Sequence, residues 1–203
     1  MLKPLKTEKN RESKQRRGII ILGIIIAVIM IFGSVGWALV SQKDGSEKVE
    51  YNGFTFLKQD NRWFTEVEVY GEKQTVTSLY HPGQLNETDV KIDIGIEKFA
   101  GKDLYVIALS PEEQQAAIEL VYNLGNFVNR AQFACLPTQI NDSFCDDKPV
   151  KDCGDVDFNS AIILINTEID NTEYKEGCLK IKGEKEDFVK ITDKIIFQIF
   201  NII

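Results

Sequence analysis

Histidine is almost absent. His81 is the only one in 203 residues, which excludes every multi-histidine metal site and leaves a Ser-His-Asp or Cys-His mechanism a single residue to use. His81 stands in His81-Pro82-Gly83, a turn-forming tripeptide. Ser78 is near it in sequence, but no nucleophile elbow surrounds that serine. The Gly-x-Gly-x-x-Gly and Walker patterns are also missing, so no loop is expected to cradle phosphate. No Cys-x-x-Cys pair occurs. Its absence argues against thioredoxin-like redox chemistry and against a zinc knuckle or ribbon.

Basic residues are scarce beyond the N-terminal tail. Residues 1–17 hold seven of them, Lys3, Lys6, Lys9, Arg11, Lys14, Arg16 and Arg17, against two acids, Glu8 and Glu12. The rest of the chain carries 17 basic and 29 acidic residues, a net charge of −12. A domain so charged repels phosphate backbones, and nucleic acid is not expected as a partner.

Charge of either sign is missing from Gly18 to Val40. As a helix, this 23-residue stretch spans roughly 34 Å, enough for a bilayer's hydrocarbon core. Trp37 falls near its far end, where an indole suits the membrane interface. The basic cluster directly before it places the N-terminus in the cytoplasm by the positive-inside rule. The expected layout is a basic tail at 1–17, a transmembrane helix at 18–40, a linker at 41–48 and an extracytoplasmic domain at 49–203. A cleaved signal is an alternative, because Ser34-Val35-Gly36 puts small residues at the −3 and −1 positions. Arg16-Arg17-Gly18 before an apolar run also resembles the processing site of archaeal class III signal peptides. That resemblance implies a pilin-like filament subunit cut after Gly18. Gly23 stands where many bacterial pilins carry an acid, and Gly45 interrupts any long helical stalk.

The outer domain is expected to be mixed α/β (α+β): an antiparallel meander, a βαβ unit and a C-terminal helix. Val49–Leu57 and Trp63–Tyr70 read as strands joined by a turn at 58–62, and Gln74–Tyr80 as a third strand. Ile92, Ile94 and Ile96 alternate with Asp93, Gly95 and Glu97, the pattern of a further short strand. Leu104–Leu109 is a continuous apolar run, as in a strand covered on both faces. Ser110-Pro111-Glu112-Glu113 supplies an N-cap, a first-turn proline and a capping box. After it Ala117, Leu120, Val121, Leu124, Phe127, Val128 and Ala131 keep helical spacing. Ala161–Ile165 is a second buried-type strand, and strand-helix-strand of this kind predicts a parallel pair. Cys178–Lys182 reads as one more strand. From Phe188 to Ile203 the apolar residues cover more than one stripe of a helix, which predicts burial on two sides.

All four cysteines, Cys135, Cys145, Cys153 and Cys178, fall in the outer domain. An even number in an oxidising compartment predicts two disulfides. Three pairings are open. The favoured one joins Cys135 to Cys145 across a short loop and Cys153 to Cys178 between that loop and a strand. Asn86-Glu87-Thr88 and Asn141-Asp142-Ser143 are glycosylation sequons, making Asn86 and Asn141 candidate acceptors. Asp155-Val156-Asp157-Phe158-Asn159 copies the start of an EF-hand loop. Ser160 then replaces the required glycine and Asn166 the final glutamate, so no calcium site is expected.

No catalytic residue, cofactor or metal is assigned. The layout as a whole resembles uncharacterised archaeal-type single-pass membrane proteins with a cysteine-bearing outer domain, a likeness that implies no activity. The expected function is a non-enzymatic, membrane-anchored binding or scaffolding protein of the cell envelope, held in the membrane by residues 18–40 and meeting another envelope protein. An envelope hydrolase with an unrecognised carboxylate site is the further alternative.

Overall fold

Aromatic and β-branched residues build a four-stranded antiparallel meander from Lys48 onward. Its strands are β1 (Lys48–Tyr51), β2 (Phe54–Gln59), β3 (Arg62–Val69) and β4 (Glu72–Ser78), paired in chain order. The run at 49–57 is thus two strands and not one. Asn52 and Gly53 split it, with φ of 48° and 82°. Two successive left-handed residues make the tight turn whose twist matches a hairpin, and Asn-Gly is the dipeptide that adopts it at least cost. Phe56, Trp63, Thr65, Val67 and Val76 alternate along the strands onto one buried face.

The structure, a computed structural model, describes residues 47–139, 142–166 and 168–203. The basic tail, the expected membrane segment at 18–40, the linker up to residue 46 and Asn141 lie outside the described residues. None of the described helices is long and apolar enough to cross a membrane.

A second sheet has the order β6-β5-β7-β9-β8. Its strands are β5 (Asp103–Ile107), β6 (Arg130–Ala134), β7 (Ser160–Asn166), β8 (Glu173–Lys175) and β9 (Cys178–Lys182). The neighbours β6, β5, β7 and β9 run parallel, and β8 pairs antiparallel with β9 through a hairpin. The parallel pairing of β5 with β7 is the one the apolar runs predict. Both faces are buried: Leu104, Val106, Ala161, Ile163, Ile165, Leu179 and Ile181 face one core. Tyr105, Ile107, Ile162, Leu164 and Cys178 face a smaller one.

Two helices lie between the sheets. The first, α1 (Pro111–Leu124), starts as expected: Ser110 Oγ accepts the Glu113 N–H, and the Glu113 carboxylate accepts the Ser110 N–H. It stops seven residues short of Ala131. Gly125 and Asn126 are poor helix formers, and the Phe127 N–H turns back to the Leu124 carbonyl. Phe127 and Val128 still pack on the larger core from outside the helix, and Ala131 belongs to β6. The second helix, α2 (Phe188–Ile199), contacts β9 and α1, while α1 contacts β4 and β7. Phe197 of α2 meets Phe56 of β2 edge to face at 5.6 Å, so both sides of α2 are used as packing surface. Asn201, at φ 55°, ends the helix, and the Ile202 N–H returns to the Phe197 carbonyl at 2.8 Å.

The Ile92–Ile96 alternation does not form a strand. Ile94 and Ile96 are buried, but this segment's backbone is paired otherwise. Gln198 of α2 accepts the Ile92 N–H at 3.1 Å and donates to the Val90 carbonyl at 2.9 Å. A side-chain amide thus takes the place of a neighbouring strand.

Candidate functional site

A buried polar cluster lies where the two helices meet the end of β4. Arg62 opens β3 and reaches across β4 to α1. Its Nη1 donates to Glu119 Oε1 at 3.0 Å and its Nη2 to Glu119 Oε2, with a further bond to Thr77 Oγ1 at 3.3 Å. The Glu119 side chain is 4% exposed and that of Arg62 33%. This fork-like pairing supplies the carboxylate with the counter-charge that burial demands. Its hydrogen bond to Glu119 raises the Arg62 pKa still further above its ordinary value.

One turn along α1, Asn123 meets the outward edge of β4. Its Oδ1 accepts the Thr77 N–H at 2.9 Å, and its Nδ2 donates to the Thr77 carbonyl at 3.0 Å and to the Glu119 carbonyl at 2.8 Å. Asp193 of α2 completes the seam. A single oxygen, Oδ2, accepts the N–H groups of Leu79 and Tyr80, both at 2.9 Å. Asp193 is fully buried, and its Oδ1 has no partner. Desolvation is the main cause that pushes its pKa up to about 7. The Glu119 charge adds to the rise, while the two backbone N–H groups and Arg62 oppose it.

Two buried carboxylates side by side invite comparison with an acid–base pair. Here Glu119 is held by a guanidinium and one oxygen of Asp193 by two amides. The cleft that touches this seam, ≈ 620 Å³ and lined by Phe64, Thr77, Tyr122, Asn123, Phe127 and Phe200, includes neither carboxylate. A second open cleft of ≈ 840 Å³ lies between the start of α2 and the segments around residues 88 and 171. Part of its charged lining is paired within the protein: Lys190 with Asp187, and the Lys182 ammonium with the Asp170 carbonyl.

The sequence reading did not find Arg62, Glu119, Asn123 or Asp193. One signal for Asp193 was available. It lies three and four residues before Ile196 and Phe197 and four after Val189, so helical spacing puts a lone acid on the apolar face of α2.

His81 lies elsewhere, capping a single 3-10 turn. Its Nδ1 accepts the Gly83 N–H at 3.1 Å, and its ring stands edge-on to Trp63 at 4.8 Å. Burial lowers its pKa. The Ser78 hydroxyl is buried without any hydrogen-bond partner, so the two do not form a nucleophile–base pair.

The cysteines join as favoured: Cys135 with Cys145, and Cys153 with Cys178. The segment between β6 and β7 is thereby drawn over the second face of the mixed sheet, where Leu136, Cys153 and Val156 pack on the smaller core. Its acids serve local turns. The carboxylates of Asp142, Asp152 and Asp157 accept the N–H groups of Phe144, Gly154 and Asn159, and that of Asp155 accepts the Asp152 N–H. Among the described residues no group of three or more His, Cys, Asp or Glu side chains is placed to hold a metal ion. Asn86 is exposed, on a loop whose Leu85 and Thr88 carbonyls accept from the Lys194 ammonium.

No family model matches the chain, no curated protein is significantly similar to it, and no solved structure shares its fold at a significant level.

Proposed function

We propose that this chain is a membrane-anchored, extracytoplasmic binding or scaffolding protein of the cell envelope. The observation that carries the reading is the engagement of all four cysteines in two disulfides, with no free thiol. Structural disulfides persist in oxidising compartments and are rare in the cytosol. The uncharged segment at 18–40 behind a basic tail supplies the anchor. Binding, not chemistry, is favoured because the cleft beside the buried polar seam includes neither of its carboxylates, Glu119 or Asp193. Solvent-facing apolar groups are present to meet another surface: Phe158 is 91% exposed and Tyr122 65%. Aromatic side chains of this kind are the usual anchors of protein interfaces.

The test is the intact mass of the protein from native membranes, before and after reduction. The reading expects the full-length mass and a gain of four hydrogens on reduction. A mass unchanged by reduction would overturn it. A chain beginning at Ile19 would instead support the pilin-like reading that Arg16-Arg17-Gly18 favours.

A further inference from the structure

Asp193 joins α2 to the end of β4 and is half satisfied. Its Oδ2 holds the Leu79 and Tyr80 N–H groups at 2.9 Å, at the point where β4 ends. Its Oδ1, equally buried, has no partner. An ionised carboxylate spreads its charge over both oxygens and seeks about four hydrogen bonds. Here the second oxygen would carry half a charge with no protein donor within reach. The charged groups acting from the neighbouring elements are Glu119 of α1 and Arg62 of β3. Because Arg62 is forked onto Glu119, their charges offset each other and leave Asp193 without a counter-ion. From the β4 side come the two backbone N–H groups.

We propose that Asp193 is a proton-operated latch: in its neutral form it fastens the end of β4 to α2, and its ionisation loosens that fastening. The direction follows from the burial. A carboxyl whose folded-state pKa is raised to about 7 stays protonated in the closed form while the opened form ionises from about pH 4 upward. Opening therefore becomes easier as pH rises from about 4 to 7 and levels off above that. The latch belongs to the fold and does not rest on the proposed function.

Hydrogen exchange in the full-length chain reads the latch directly, because the Leu79 and Tyr80 amides are its own reporters. Exchange of peptides covering 76–82 and 188–200, corrected for the intrinsic pH dependence, is expected to speed up roughly 10- to 100-fold between pH 5 and 8. Asp193→Asn keeps an acceptor oxygen for both amides and removes the titration, so the step should vanish. A step that survives in Asp193→Asn, or none in the wild-type chain, overturns the proposal. Should Asp193→Asn fail to fold, Glu119→Gln decides. Without the Glu119 charge, Arg62 becomes a counter-ion for Asp193 and the midpoint must move to lower pH; an unmoved midpoint overturns the latch.

Discussion

The mixed sheet is covered on one face by two helices and the meander, and on the other by a loop. The helical side is large, apolar and fastened by a buried polar seam, with Arg62, Glu119, Asn123 and Asp193 holding β4. The loop side has a small core and is fastened covalently through Cys135–Cys145 and Cys153–Cys178. The contrast follows from how much apolar surface each cover brings. A helix pair buries enough to afford polar groups inside it. A loop with few apolar residues does not, and a disulfide compensates by restricting the unfolded chain.

If this contrast is right, pH between about 4 and 7 should act mainly on the helical side, because Asp157 on the loop side is held below the ordinary carboxylate range by its hydrogen bond with Ser160. Asp193 is neutral when folded and ionised when unfolded between about pH 4 and 7, so stability falls as pH rises across that window, by about 4 kcal/mol. The difference in urea unfolding free energy between wild type and Asp193→Asn should follow that course. A difference that stays flat with pH would remove the distinction between the two sides.

Cutting the covalent side comes next in size. Replacing Cys153 and Cys178 by serine opens the link with a sequence separation of 25 and should lower stability by about 3.5 kcal/mol. Replacing Cys135 and Cys145, separated by 10, should cost about 3 kcal/mol on the same entropy model. Neither change should move the pH midpoint assigned to Asp193. A shared shift would mean that the two covers communicate through the sheet.

On the helical side, Asn123→Ala strands the Thr77 N–H and carbonyl and should cost about 2–3 kcal/mol in chemical denaturation. The smallest effect is expected at the tip of the meander. A Cβ at Gly53 meets nothing within 4 Å, so Gly53→Ala pays only for its φ of 82°, about 1 kcal/mol. A much larger loss there would show that the β1–β2 hairpin supports the core more than its packing indicates.

Local chemistry was legible in the sequence where neighbours along the chain determine the outcome. Ser110-Pro111-Glu112-Glu113 starts a helix because cap and capped groups lie within one turn. Ala161–Ile165 is a strand buried on both faces, as an unbroken apolar run demands. The reading lost its footing where one pattern served two structures. Phe127, Val128 and Ala131 continue the spacing of α1, yet the chain has already turned toward β6 at Gly125. The Val49–Leu57 run hid an Asn-Gly turn inside a β-rich stretch. Arg62 and Glu119 stand 57 positions apart, and Leu79 and Asp193 stand 114 apart. Nothing local announces such partners. A lone acid on an apolar helical face was the only trace they left.

The amide of Asn123 occupies both outward-facing backbone groups of Thr77, on the last strand of the meander. An unpaired sheet margin is a template on which further chains can stack. By standing in for the next strand at Thr77, one side chain closes the end of that margin nearest the helices. A strand added along β4 would therefore have to stop short of Thr77, so this side chain limits how far another chain could pair there.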